Sequence, residues 1–295
     1  AQYFETITLN IEIQAVQSDY NNISLSEADN IFKETFAGSY VTDKKYFTFS
    51  EGAVTGLTDE GKKLSSIVIP STDNDGNPIT SIGSDAFEEC SNLISVVIPN
   101  SVISIGYDAF YNCINLTDVV ISNSVTSIGE FAFQCCNSLA TITIPNSVIS
   151  IDYMAFDSCA NLTSIMIPSS VTSIGEKAFK SCGKLENVTF GNDSQLTSIN
   201  NAVFINCSSL TSITIPSSVT SIGDQTFYDC GNLENVIFCE NSQLSSIGSN
   251  AFADCTSLVN ISVPENVASI GDSAFFECRS LTSISLSNSV TSIGS

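Results

Sequence analysis

The chain has 295 residues, 31 acidic side chains against 9 basic ones, a formal charge of -22 and no histidine. That balance argues against a nucleic-acid partner, because binding there rests on Lys and Arg neutralising phosphates, and it disfavours anionic membrane surfaces. At 43% hydrophobic and 14% charged the chain is too apolar for a disordered one, and no apolar run approaches the roughly 20 residues of a membrane span.

The first 53 residues do not repeat. The segment Thr6-Ile-Thr-Leu-Asn-Ile-Glu-Ile alternates polar and apolar, as a half-buried strand would. The segment Ser26-Glu-Ala-Asp-Asn-Ile-Phe-Lys-Glu-Thr-Phe reads as a short helix with Ser26 at the N-cap and acids in its first turn. Residues 1–53 are therefore expected to form an N-terminal cap of strand plus short helix, with a separate small functional module as the alternative.

A degenerate unit starts at Val54 and runs through Leu64-Ser-Ser-Ile67-Val-Ile69-Pro70. It is followed by Asp73-Asn-Asp75-Gly76-Asn77-Pro78. This resembles part of a calcium loop but lacks the third ligand before the Gly and the distant Glu. It reads as a solvated turn.

From here the chain is self-similar, a feature to be read before any other. One apolar position recurs at Ile79, Val102, Val125, Val148, Val171, Leu196, Val219, Leu244, Val267 and Val290, with spacings of 23 or 25 residues. A complete unit reads Leu210-Thr-Ser-Ile213-Thr-Ile215-Pro-Ser-Ser-Val219-Thr-Ser-Ile222-Gly, then a turn segment with Phe227 and Cys230. Ile213 and Ile215 share one face of an extended segment and Thr214 the other. Pro216 ends the strand, having no N–H to donate. Val219 and Ile222 mark a second short extended piece. Phe227 and Cys230, three apart, suit one face of a single helical or 3₁₀ turn. No unit buries this apolar set alone, whereas stacked units bury it continuously. Ten rungs ~4.8 Å apart give a parallel sheet about 45–50 Å long. Residues 54–295 are expected to form this solenoid. Two units are two residues longer: Leu185-Glu-Asn-Val188-Thr-Phe190-Gly-Asn-Asp-Ser-Gln-Leu196 and Leu233-Glu-Asn-Val236-Ile-Phe238-Cys-Glu-Asn-Ser-Gln-Leu244. They imply duplication of a two-unit module and turns that protrude on one edge.

Nine of the 11 cysteines share one repeat position: Cys90, Cys113, Cys136, Cys159, Cys182, Cys207, Cys230, Cys255 and Cys278. Stacked side chains that point the same way suit disulfides poorly, and metal sites want close Cys pairs. A buried ladder of thiols is expected. Cys135 and Cys239 lie off it, and Cys135 is expected to face solvent as a free thiol, with pairing between chains as the alternative.

Two surface stripes are candidates for binding. The first is the outward position of the principal sheet: Val97, Val120, Thr143, Met166, Thr189, Thr214, Ile237, Ser262 and Ser285. Its N-terminal half is apolar, as a protein-contact patch would be, although strand propensity favours the same residues. The second lies on the turn side at Tyr107, Tyr111, Phe131, Tyr153, Tyr228 and Phe276. The first four come from three consecutive units and are expected to cluster; aromatics are favoured at interfaces. Paired acids such as Glu88-Glu89 occupy variable positions and read as solvating charge. No nucleophile elbow or phosphate-binding loop is present, and no catalytic residue, cofactor or metal is expected.

The recurring Leu-Thr-x-Ile-x-Ile-Pro-x-Ser-Val-Thr-Ser-Ile-Gly-x-x-Ala-Phe-x-x-Cys resembles the BspA-type leucine-rich repeat over about residues 54–295. The resemblance implies a β-rich leucine-rich-repeat solenoid, a right-handed superhelix with a curved parallel sheet, short second strands and single helical or 3₁₀ turns. It further implies a secreted or cell-surface protein without enzymatic activity. The implied role is adhesion to host matrix or plasma glycoproteins or to other cells, with a structural spacer or self-assembly module as the alternative. The last unit stops at Ser295 before its Ala-Phe-x-x-Cys. Either the chain is truncated there, or another chain covers that rung by self-association.

Overall fold

The computed structural model describes residues 41–295. The strand and helix expected over residues 6–13 and 26–36 lie outside the described residues. What is described is a β-solenoid of about nine turns with parallel sheets and almost no helix. With one exception, each rung contributes a strand to each of two parallel ladders and then a turn segment, so three edges run along the solenoid.

The face ladder takes the Ile-x-Ile segment of each rung: Ser66–Val68, Ser95–Val97, Asp118–Val120, Ser164–Ile167, Asn187–Phe190, Ser212–Ile215, Asn235–Phe238, Asn260–Ser262 and Ser283–Ser285. Register is strict, with Ile165 beside Val188 and Ile213 beside Val236. Between Asp118–Val120 and Ser164–Ile167 the pairing is interrupted, and Thr141 keeps a single bridge to Ser164. The short ladder takes the Ser-Ile pairs. It opens at a hairpin in which Phe47–Ser50 pairs antiparallel with Ala53–Leu57, and the latter pairs parallel with Ser81–Ile82. It then continues rung by rung to Ser173–Ile174, stops, and resumes from Ser198–Ile199 to Ser292–Ile293.

Inside, like stacks on like. Nine phenylalanines, from Phe87 to Phe275, stack with ring centroids 5.0–5.6 Å apart and planes within 12° of parallel. The rung repeat imposes this spacing, which lies within the favourable range for offset rings. Leu, Val and Ile of the two ladders fill the remainder of one continuous core.

The turn segments differ from the helical or 3₁₀ turn that the Phe-x-x-Cys spacing suggests. Two overlapping turns form instead: the Glu88 amide donates to the Asp85 carbonyl, and the Cys90 amide to the Phe87 carbonyl. The amides of Asp85, Phe87 and Glu89 donate to Tyr107, Ala109 and Tyr111 of the next rung at 2.8–2.9 Å. A helix would point its amides along its own axis. Here every second amide points to the neighbouring rung, which forces two left-handed residues per rung, such as Asp85 (φ 57°) and Glu89 (φ 54°).

The glycine that follows most Ser-Ile pairs has a plain function. A Cβ on Gly106 would lie 2.7 Å from the Ile82 carbonyl oxygen of the rung below. Only a bare backbone approaches that closely.

Candidate protein-binding surfaces

On the turn edge, three of the four expected aromatics meet. Tyr107 and Phe131 pack edge to face with centroids 5.4 Å apart, and Phe131 and Tyr153 do so at 5.3 Å. The result is a ridge crossing three rungs. Tyr107 is 47% exposed, while Phe131 and Tyr153 are half-buried. Phe131 holds φ 56°, a conformation that costs a bulky L residue on the order of 1 kcal/mol. Asp85, Asp108, Asn250 and Ser273 fill the same position in other rungs, and short polar side chains tolerate it better. Tyr111 stays apart from the ring stack. It lies by Cys135, whose charge is the first cause raising its phenol.

The ridge ends differently on its two sides. At Tyr153 a cation is supplied from within, the Lys177 ammonium 5.7 Å from the ring centroid. Around Tyr107 the charges are acidic. Asp108, then burial, then Asp85 and Glu130 push its phenol upward. Glu88 is raised by desolvation and by Asp85, Glu89 and Asp108. Beneath the ridge, buried Asp157 accepts from Gln134 Nε2 at 2.6 Å and faces Lys180 Nζ at 3.9 Å.

The sheet-face stripe is less uniform than its sequence. Met166 and Ile237 are 47% and 53% exposed, Thr143 is exposed and Val97 half-buried. Val120 is buried, against the expectation that it faces solvent. Residues 119–122 are all buried, so the alternation of the pleat fails at this rung. This is where the face ladder is interrupted, and the pleat that would turn Val120 outward is not maintained. The apolar N-terminal half of the stripe is therefore discontinuous.

Sequence reasoning missed two grooves beside the long turns. One, of about 530 Å³, runs between Phe190, residues 191–194, Pro216 and Ser217. The other, of about 700 Å³, runs between Phe238, Cys239, residues 241–243 and residues 262–266. Cys239 lines both. The two extra residues per unit were the available signal.

The 73–78 turn is self-satisfied. The Asp73 carboxylate accepts from the amides of Asp75 and Asn77 and from Asn77 Nδ2 at 2.8–3.0 Å. Lys44 Nζ donates to the Asp73 carbonyl at 2.6 Å and to Thr72 Oγ1 at 2.7 Å.

Comparison with known proteins accounts for this architecture. The family model for the BspA type leucine rich repeat region matches residues 80–195 and 184–295. The chain belongs to the BspA-type leucine-rich repeat family. A leucine-rich repeat protein of Bacteroides ovatus is 34% identical, with a TM-score of 0.75 over 86% of this chain and 67% of that one. The T. pallidum leucine rich repeat protein is 28% identical, with a TM-score of 0.56 over 74% and 91%. The pneumococcal vaccine antigen PcpA, 20% identical with a TM-score of 0.52 over 82% and 68%, shares the fold. No curated protein matches the chain.

The ladder cysteine has a structural task here. The Cys113 thiol donates to the Phe87 carbonyl one rung below at 3.0 Å. The same carbonyl accepts the Cys90 amide. The pattern repeats to Cys278, whose thiol donates to the Phe252 carbonyl. All described cysteines are free thiols. Burial is the first cause raising each ladder thiol, Cys230 to about 12 and Cys278 to about 11, so these sulfurs are poor nucleophiles. Cys135 is half-buried rather than solvent-facing, packed against the rung that holds Asp157.

Proposed function

We propose that this BspA-type chain is a non-enzymatic protein-binding solenoid, secreted or held at a cell surface. In this reading it acts as an adhesin for matrix or plasma glycoproteins of a host, or for other cells. The observation that carries the reading is the aromatic ridge of Tyr107, Phe131 and Tyr153 on the turn edge, with Tyr107 exposed and the other two half-buried. Aromatic side chains supply much of the binding energy at protein interfaces. A ridge clamped by inter-rung hydrogen bonds loses little entropy on binding. Met166 and Thr143 on the sheet face, with half-buried Val97 beside them, extend the candidate surface.

The test is a surface-binding titration of the chain against a panel of extracellular-matrix and plasma glycoproteins at physiological salt. Saturable binding to one member, weakened by Tyr107→Ala or Met166→Asp, is the expected result. No binding across the panel, together with concentration-dependent light scattering, would replace the adhesin with a self-assembly module.

A further inference from the structure

We propose that the Tyr107 end of the turn-edge ridge is a docking site for a cationic peptide segment, an Arg or Lys side chain lying on Tyr107 among Asp85, Asp108 and Glu130. The inference rests on the protein-binding reading above and names the chemistry of the partner.

Three observations converge. The ridge presents a partly open aromatic ring at its end, Tyr107, which packs against Phe131 and is 47% exposed. An aromatic face attracts cations, Arg more often than Lys. The ridge already uses that attraction at its other end, where Lys177 lies over Tyr153, and Tyr107 has no such cation among the described residues. The carboxylates around Tyr107 also lack a cationic partner, Asp108 having only a hydrogen bond with the Tyr107 hydroxyl. Among the described residues the ion pairs are Lys45 with Asp43, Lys63 with Glu60, Lys180 with Asp157 and Arg279 with Glu277. None involves Asp85, Glu88, Glu89, Asp108 or Glu130. A guanidinium on Tyr107 would gain the ring and ease the repulsion that Asp85, Glu89 and Asp108 exert on Glu88 and Asp85 on Asp108.

The chemistry selects against other occupants. An anionic membrane or nucleic acid would be repelled by the same carboxylates. A divalent cation would have no use for the aromatic face.

The strain at Phe131 supplies a clean variant. Phe131→Asn places a residue suited to φ 56° at that position, so the fold is retained or improved while the ridge is cut. Asp85→Asn, Asp108→Asn and Glu130→Gln remove charge in shape-conserving steps, and Asn suits the left-handed backbone at 85 and 108.

The experiment measures fluorescence anisotropy of a labelled Arg-Gly repeat peptide against the full chain, beside its Lys and citrulline counterparts, at low and physiological salt. Arg is expected to bind best and citrulline not at all. Tyr107→Ala and Phe131→Asn are each expected to weaken the Arg peptide about fivefold, the worth of one exposed cation–aromatic contact. The triple charge variant should abolish binding. A distant control away from any of these tyrosines, exposed Glu186→Gln with Glu234→Gln, should change little. Equal loss from that control would show diffuse attraction to an acidic surface and overturn the site, as would Tyr107→Ala without effect. Glycoprotein binding that persists in both ridge variants, with no peptide binding to the parent chain, would overturn this inference and leave the protein-binding reading standing.

Discussion

The two 25-residue rungs have nearly the same sequence, yet they leave the short ladder in different states. At the second, Ser246–Ile247 stays paired with Ser221–Ile222, and the Gly248 amide donates to the Ile222 carbonyl at 2.8 Å. At the first, Ser198–Ile199 is not paired with Ser173–Ile174. There the Ile174 carbonyl is taken by a side chain, Asn200 Nδ2, at 2.8 Å. Asn200 stands where the second rung has Gly248. A third rung sharpens the contrast. Asp152 occupies the same position in a 23-residue rung, and its backbone amide still donates to the Ile128 carbonyl at 2.9 Å. A long turn alone does not open the ladder, and a side chain at the glycine position alone does not either. The first long rung has both.

The open rung is patched rather than left loose. Asn200 replaces the lost backbone donor in kind, so no buried carbonyl is stranded. Two rungs enlarge the small residue beside the stack: Val203 and Thr226 stand where most rungs have Ala. Thr226, fully buried, donates to the Asn200 carbonyl at 3.1 Å and lies 2.8 Å from the Gly223 carbonyl. The thiol ladder crosses the gap, with Cys207 donating to the Phe179 carbonyl at 3.2 Å. The face ladder is continuous there too. One edge of the solenoid can therefore part while the other two hold.

The largest effect is expected from giving the second long rung the residue of the first. A Cβ at Gly248 would lie 2.5 Å from the Gly223 carbonyl carbon and 2.6 Å from the Asp224 amide nitrogen. Those are backbone atoms that cannot swing away. Gly248→Asn should cost about 2–3 kcal/mol, in the range of overpacking a tight interior. It should also expose the Ser246–Ile247 amides to hydrogen exchange. Unchanged exchange there would show that the combination of long turn and asparagine does not open a ladder, and the comparison would fail.

Next is the patch itself. Asn200→Ala leaves the Ile174 carbonyl without a donor and should cost about 1–3 kcal/mol. Repeat arrays unfold less cooperatively than compact domains, so amide exchange around Ile174 and Thr226 is the more direct readout than one melting temperature. The Cys207 thiol adds a second probe, and its labelling by a maleimide should quicken in Asn200→Ala but not in Gly248→Asn. Asn200→Gly is the converse. It should let Ser198–Ile199 rejoin Ser173–Ile174, with the amide of residue 200 becoming protected. Continued rapid exchange at that amide would mean the longer turn holds the rungs apart by itself.

These cases also mark what a sequence can and cannot disclose. The rung period, the Phe stack and the Cys ladder are legible because each residue type recurs at a fixed offset, and offset becomes contact when rungs stack. The conformation of the turn segment is not, since Phe and Cys three apart fit a helical turn and a double turn alike. The choice is made by amides that bond to the next rung, a partner 22 residues away. Val120 reads as outward by alternation, and its burial depends on a break in pairing that no local pattern records. The ridge was half legible. Tyr107, Phe131 and Tyr153 fall in consecutive units, but Tyr111 shares the spacing and does not join. The opening at Asn200 depends on a conjunction of turn length and side chain, and neither feature alone reveals it.

The smallest effect, and the finest test of that conjunction, is at Asp152. Burial is the first cause holding its carboxyl above the ordinary carboxylate range, with a hydrogen bond involving Ser150 opposing. An Asp whose pKa is raised on folding is charged at a cost in the folded state. Its contribution is therefore most favourable below the ordinary value, where it is protonated in both states, and it declines as pH rises through the raised value. Asp152→Asn removes the charge. It should stabilise the chain slightly at neutral pH, with the gain fading to nothing as the pH falls below the ordinary carboxylate value. The same substitution places an asparagine at the glycine position of a 23-residue rung, without a long turn before it. If the conjunction rule holds, the amide of residue 152 keeps its bond to Ile128 and its exchange stays slow. If the new side-chain amide captures that carbonyl as Asn200 captures the one of Ile174, the ladder opens and exchange at residues 150–152 accelerates. Asparagine alone would then be the switch, and the length of the turn a bystander.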